Sequence, residues 1–140
     1  MRAVVQRVSR AVVSSGSEEV ARIGPGLVVL LGVARGDGPA EADRMARKLL
    51  ALRVFEDDAG RMNLSVAEAG GGILCVPNFT LCGDASRGNR PSFAASAPPA
   101  EAEPLFERVR DALGGAGGRF GARMSVDLAN DGPVTLVVEV

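Results

Sequence analysis

Histidine, tryptophan and tyrosine are all absent from this chain of 140 residues. Without histidine there is no Ser-His-Asp or Cys-His catalytic unit and no histidine-based zinc site. Cysteine is scarce. Cys75 and Cys82 do not form a CxxC pair, and two cysteines are too few for a disulfide scaffold, so they read as reduced thiols of a cytoplasmic protein. Lysine is reduced to Lys48; every other basic side chain is arginine, the better phosphate fork. Neither sign of charge is in excess: the net charge is −1, which excludes a protein that binds nucleic acid with its whole surface. Any RNA contact is therefore expected to be local, or confined to an RNA end. No apolar run is long enough to span a membrane. Met1-Arg2-Ala3-Val4-Val5-Gln6-Arg7 places charge inside the first apolar run, where a secretory leader would carry none.

What is present suits one core. A hydrophobic share of 46% over this length is enough for a single packed domain, 1–140, with no linker or internal repeat. Val4 to Val13 reads as an early strand with polar positions interleaved. Glu19 to Ile23 alternates as a half-buried strand, and Leu27 to Val33 is continuously apolar, as a strand covered on both faces is. Gly24-Pro25-Gly26 between them reads as a turn. Asp37-Gly38-Pro39 reads as a helix entry, a cap followed by proline in the first turn, leading into a helix over roughly 39–52 with Ala42, Met45, Ala46, Leu49 and Leu50 at helical spacing. Arg53 to Phe55, 62–66 and 73–76 read as further strand pieces. A second helix carries Ala102, Leu105, Phe106, Val109 and Leu113 on one face and is stopped by Gly114-Gly115. Two closing antiparallel strands are expected on either side of Gly132-Pro133. Strands that mostly follow one another, with two helices, predict an α+β fold with an antiparallel-rich sheet or barrel.

Two segments carry candidate chemistry. In Pro77-Asn78-Phe79-Thr80-Leu81, proline cannot donate to a ladder. If the segment is extended, Asn78, Thr80 and Cys82 share one face. Free backbone N–H groups at such a strand end can stabilise an oxyanion. On pattern alone, though, the segment reads first as a strand end with polar caps. A Thr80 nucleophile would need a base, and only Asp84 or Lys48 could stand in for histidine. The second segment is Asn130-Asp131-Gly132-Pro133-Val134-Thr135. Its Asp-Gly is an ordinary hairpin signal, but the following proline removes a donor and permits a cis bond. It reads either as a turn opening an edge strand or as a presented device. Arg87, Arg90, Arg119 and Arg123 are candidate phosphate contacts, or simply solvated cations.

Taken in order, Met1-Arg2-Ala3-Val4-Val5-Gln6-Arg7-Val8, Leu30-Leu31-Gly32-Val33, Met62-Asn63-Leu64, Phe79-Thr80-Leu81, Arg90-Pro91-Ser92-Phe93, Gly118-Arg119-Phe120-Gly121 and Asn130 to Thr135 resemble the D-aminoacyl-tRNA deacylase family along the whole chain. The resemblance implies a cytoplasmic homodimer with a compact β-barrel-like fold and two helices, needing no metal or other cofactor. It also implies hydrolysis of the ester joining a D-amino acid to the 3′ end of tRNA, and of glycine mischarged on alanine tRNA. Gly132-Pro133 is then expected to be cis, to enter the partner subunit's pocket and to leave no room for an L side chain, with Arg7 packed beside it. The backbone near Phe79 and Thr80 is expected to bind the substrate carbonyl. Pro77-Asn78 stands where the family usually has Ser-Gln. A related branch, which removes L-alanine from mischarged threonine tRNA, carries proline at the first of these positions but has a trans Gly-Pro and lacks the arginine that Arg7 matches. Two rival readings therefore stand beside the first: that variant deacylase, and a non-catalytic module binding the tRNA end.

Overall fold

The computed structural model describes residues 1–140. Strands β1 (Arg2–Ser15), β2 (Glu18–Ile23) and β3 (Gly26–Gly32) come first, followed by helix α1 (Pro39–Leu50). The short strands β4 (Phe55–Glu56) and β5 (Met62–Leu64) form a hairpin of their own. Then come β6 (Gly72–Pro77), helix α2 (Pro99–Ala112) and β7 (Ser125–Glu139). The main sheet runs β2-β1-β3-β6, with β7 on the other edge of β1. It curls into a half-barrel, and the fold is α+β. All pairings are antiparallel except β3 with β6. That parallel pair requires a crossover, and α1 with the β4–β5 hairpin supplies it.

β1 is the spine. Its first half pairs with β3, from Arg2 opposite Gly32 to Val8 opposite Gly26. Its second half pairs with β2, from Ala11 opposite Ile23 onward. Three steps along β1, Val8 to Ala11, match three along the partner, Gly26 to Ile23, so register passes through Gly24-Pro25 without reversal. The turn expected there is a bend in what is nearly one strand. Proline is tolerated because it sits where no ladder bond is demanded of it.

The end of the chain departs further from expectation. The two expected strands around Gly132-Pro133 do not pair with each other. Both pair with β1 in the same direction, from Arg2 opposite Glu139 to Ser14 opposite Ser125. They are two halves of β7. Between them register jumps: Gln6 faces Thr135 but Val8 faces Asn130. Two steps on β1 span five on β7, so the intervening residues are thrown out of the ladder as a large bulge.

Both helices lie on one face of the sheet. Ala42, Met45, Ala46 and Leu49 of α1 and Ala102, Phe106 and Val109 of α2 bury there against Ala3, Val5, Leu27, Val29, Leu31 and Cys75. Each fully buried large side chain contributes about 1.5–3 kcal/mol. The other face gathers Val8, Ala11, Val13, Val28, Leu74 and Val76 into a second cluster. The continuously apolar β3 is buried on both sides for this reason. The helix entry expected at 37–39 is found, with Asp37 outside the cap. The cap is Gly38, whose N–H donates to Glu41 Oε2 (2.8 Å), and Pro39 opens the first turn. Asp37 Oδ1 instead accepts from the Met1 ammonium at 2.8 Å, and its Oδ2 from Ala34 N–H at 2.7 Å. At the end of α2, Gly115 N–H donates to the Arg110 carbonyl and Gly114 N–H to that of Asp111, the paired bonds of a Schellman stop.

The backbones of β3 and β6 approach closely where the two strands start. A Cβ on Gly26 would stand 2.0 Å from the Gly72 carbonyl oxygen. Gly26→Ala is expected to destabilise the protein by about 3 kcal/mol through forced separation of these strands. Gly24→Ala, where a Cβ meets nothing within 4 Å, should cost no more than about 0.5 kcal/mol. Urea unfolding of both variants checks the contrast.

Candidate active site

β3 and β6 end side by side, and the chain leaves both at the same place. Asn78 N–H donates to the Leu31 carbonyl at 2.8 Å, the last ladder-like bond of the pair. Pro77 closes β6, and residues Phe79–Cys82 form a single 3₁₀ turn rather than a continued strand. The alternation expected beyond Pro77 is thus replaced by a helical turn, which carries Thr80 round with the backbone. The turn is held from three sides. Arg2 Nη1 donates to the Leu81 carbonyl (2.9 Å), Ser96 Oγ to the Phe79 carbonyl (3.1 Å), and Gly83 N–H to the Thr80 carbonyl (3.0 Å). The N–H groups of Phe79 and Thr80 open the turn, where a helix offers no carbonyl of its own. Phe79 is 59% exposed and meets Phe93 edge-on, with ring centroids 5.2 Å apart.

Beside this turn lies a cavity of about 960 Å³, walled mainly by apolar side chains such as Leu31, Val33, Phe93, Phe106 and Met124. It has the size of a small-molecule site and sits at the carboxyl ends of the parallel pair, where open sheets with parallel strands commonly bind ligands. Pro77, Asn78, Phe79 and Thr80 all line it.

The ionisable groups around it are poorly suited to covalent chemistry. Thr80 Oγ1 donates to Asn78 Oδ1 at 2.5 Å; an amide oxygen accepts that bond but cannot remove the proton. Burial pushes the Cys75 thiol up to about 12, and burial also raises Cys82. Both therefore stay protonated at neutral pH. Asp84, the stand-in base, accepts from Ser86 N–H (2.9 Å), and hydrogen bonding to Ser86 holds its carboxyl below the usual range. Neither Asp84 nor Lys48 lines the cavity. Arg87 and Arg90 lie exposed on the 84–92 loop, and Arg119 is paired with Glu18. Arg123 lines the cavity. No group of three or more Cys, Asp or Glu side chains is placed to hold a metal ion.

Arg7, Gly132 and Pro133 form a separate unit. The Gly132-Pro133 bond is cis, and Gly132 has φ +117°, a conformation L residues avoid. Arg7 stands opposite the bulge and is 8% exposed. Its Nη1 donates to the Val54 carbonyl at 2.7 Å. Its Nε lies 3.2 Å from Asp131 Oδ2, near enough for an ion pair but not aligned for a hydrogen bond. Asn130 laces the bulge shut: its Nδ2 donates to the carbonyls of Arg7 and of Val134, each at 3.0 Å. Sequence reasoning gave Asn130 no role. Its signal was an amide residue just before Asp-Gly-Pro, a common turn-bonding position. Ser96 and Arg2, which anchor the 3₁₀ turn, left no signal at all. Asp131, Gly132 and Pro133 are exposed and do not line their own chain's cavity. The fold therefore joins Pro77 to Thr80 in one place and Arg7, Gly132 and Pro133 in another.

The chain that carries this arrangement matches a known class of proteins along nearly its whole length. The family model described as D-Tyr-tRNA(Tyr) deacylase matches residues 4–139. Among curated relatives, a D-aminoacyl-tRNA deacylase of Symbiobacterium thermophilum is 54% identical, covering 99% of this chain and 95% of its own. One of Anaeromyxobacter dehalogenans is also 54% identical, over 99% and 97%. A solved structure titled c-Myc DNA Unwinding Element Binding Protein superposes with TM-score 0.92 at 42% identity, covering 100% of this chain and 99% of that one. A probable eukaryotic D-amino acid tRNA deacylase shares the fold, with TM-score 0.82 at 19% identity over 99% and 98%. The chain belongs to the D-Tyr-tRNA(Tyr) deacylase family.

Asn130→Ala should lower stability by about 1–2 kcal/mol, since two carbonyls lose their donor at once; a shifted urea midpoint with unchanged slope is the expected result. In the native protein at neutral pH, iodoacetamide should label Cys75 only at the rate of unfolding, as mass spectrometry can follow.

Proposed function

We propose that this protein is a D-aminoacyl-tRNA deacylase. It hydrolyses the ester between a D-amino acid, or glycine mischarged on alanine tRNA, and the tRNA 3′ end. The observation that carries this reading is family membership over residues 4–139, with relatives of that name at 54% identity along nearly their whole length.

In this reading the terminal adenosine and the aminoacyl group occupy the cavity beside the 3₁₀ turn. The N–H groups of Phe79 and Thr80 face the ester carbonyl and take up the negative charge that develops on its oxygen. Asn78 orients the Thr80 hydroxyl, which serves as a hydrogen-bonding group rather than a nucleophile. Water attacks, assisted by the ribose 2′-OH next to the ester. An aminoacyl ester is already reactive, so a fixed oxyanion site contributes without a histidine.

Chirality is set by Gly132-Pro133. Because the bulge does not line its own chain's cavity, it acts on a second copy: the protein is a homodimer in the cytoplasm, and each subunit's bulge closes the other's pocket. The exposed Leu136 and Val137 just beyond it (38% and 66% exposed) provide apolar surface for that contact. Rejection of L-amino acids is then steric exclusion by main chain held rigid by Asn130 and Arg7. Exclusion suits a protein surrounded by correct L-aminoacyl-tRNA, where a small binding preference would not discriminate enough. Pro77 raises one rival, removal of L-alanine from threonine tRNA; the absent general base raises the other, binding without turnover.

Single-turnover assays on matched D- and L-aminoacyl-tRNA, with L-alanyl-threonine tRNA alongside, decide among these. Loss of the D-ester alone is expected. Loss of the L-alanyl ester, or of no ester, would overturn the reading in favour of the first or second rival. Gly132→Ala, whose Cβ would press on Val134 and Arg7 Nη2 at 3.0 and 3.2 Å, should slow D-ester hydrolysis by at least about tenfold, equivalent to ~1.4 kcal/mol. Pro133→Ala should narrow the D/L ratio.

A further inference from the structure

We propose that Arg123, with the hydroxyls of Ser14 and Ser125, forms a subsite for a backbone phosphodiester of the polynucleotide whose 3′ end enters the adjoining apolar cavity. The proposal rests on the deacylase reading and adds the path the RNA takes out of the pocket.

Beside the apolar cavity lies a second groove of about 570 Å³, with a different lining: Ser14, Ser15, Gly16, Arg123, Met124 and Ser125. Arg123 and Met124 belong to both, so the two spaces share a wall, and in the proposed path the RNA crosses it from one to the other. The change in lining is from apolar to hydroxyl, which is the change a nucleoside followed by a phosphodiester presents.

Three features suit an anion. First, Arg123 is the one cation lining either space, and no carboxylate lines the groove. Second, Arg123 forms no ion pair within the chain, whereas the acids nearest in sequence and register are already held. Glu18, opposite Ser15 in the β1–β2 hairpin, receives two hydrogen bonds from Arg119 (3.2 and 3.0 Å). Asp127 receives one from Arg10 (2.6 Å). The Arg123 guanidinium is thus free to fork a phosphate. Third, Ser14 and Ser125 are cross-strand partners in the β1–β7 ladder, which sets their hydroxyls on one face about 5 Å apart at Cβ. Neither hydroxyl bonds another protein group. Ser15 plays a different part: its Oγ donates to the Arg123 carbonyl at 3.1 Å and fixes the backbone that carries the arginine. With a net charge of −1, the chain has no general attraction for RNA, so one placed cation next to the cavity weighs more than it would on a basic protein.

The test compares two substrates that differ in having phosphates. Wild type, Arg123→Ala and Arg123→Lys are assayed on D-aminoacyl-tRNA and on the D-aminoacyl ester of adenosine, across a range of salt concentrations. For Arg123→Ala, the ratio of kcat/KM on tRNA to that on the adenosine ester is expected to fall about tenfold, as loss of one charged hydrogen-bonding group implies. The slope of log kcat/KM against log salt on tRNA should become shallower by about 0.7, the value for one phosphate on a single strand. Arg123→Lys should restore most of that slope. Equal losses on both substrates, or an unchanged ratio and slope, would overturn the subsite while leaving the deacylase reading intact. If wild type hydrolyses neither ester, both fall together.

Discussion

β1 is paired along both edges for nearly its whole length: β7 on one side, and β3 followed by β2 on the other. Everything else is positioned from that double ladder. Its central place buries Ala3, Val5, Val8, Ala11 and Val13 almost completely. Its alternation sends Ala3, Val5 and Arg7 to the face covered by the helices. Arg7 is the exception in that series, a cation at 8% exposure, and its environment explains why it is tolerated. Burying a charge is costly unless it is paired and hydrogen-bonded. Here the guanidinium has the Val54 carbonyl, the Asp131 carboxylate and the edge of the bulge.

Two Gly-Pro dipeptides interrupt the two neighbours of β1 at almost the same level, Gly24-Pro25 opposite Ser9 and Arg10, and Gly132-Pro133 opposite Arg7. They solve the same problem differently. At Gly24-Pro25 the chain counts out the same number of residues as β1 and simply bends. At Gly132-Pro133 it counts out more, and the surplus must leave the ladder. The expelled residues are exposed, yet Asn130 on one side of them binds the Val134 carbonyl on the other side and the Arg7 carbonyl across the ladder, so the protrusion is shaped by hydrogen bonds at its base. In the proposed role, a protrusion of main chain can exclude a side chain by position without recognising which side chain it is.

The chemistry follows the same economy. The cavity has a backbone turn, a threonine tied to an asparagine and apolar walls. Its cysteine neighbours are kept protonated by burial, and the one free acid in the adjacent loop is stabilised as a carboxylate. Those features suit the proposed role, in which the site orients an ester and stabilises charge on its oxygen without a covalent intermediate. Arg123 marks where that apolar space gives way to a polar groove.

Composition and periodicity by themselves determined the α+β class, both helices, the doubly buried β3 and the glycine stop of α2, because each rests on local spacing of apolar residues or on a single residue's backbone preference. The ordered motifs determined the family. What local pattern could not resolve was whether a Gly-Pro reverses the chain or breaks a strand in passing. Proline constrains only its own backbone and its predecessor's, whereas reversal depends on which distant strand the next residues find. That was decided by β1, which offered one continuous edge to both halves of β7. The same holds for Asp37, which suits a helix cap by sequence but is taken by the Met1 ammonium. It holds too for the bonds of Ser96 to Phe79, Arg2 to Leu81 and Asn130 to Arg7, whose partners lie 17, 79 and 123 residues apart in the chain. Only the folded sheet brings those groups within hydrogen-bonding reach, and no spacing along the sequence encodes it.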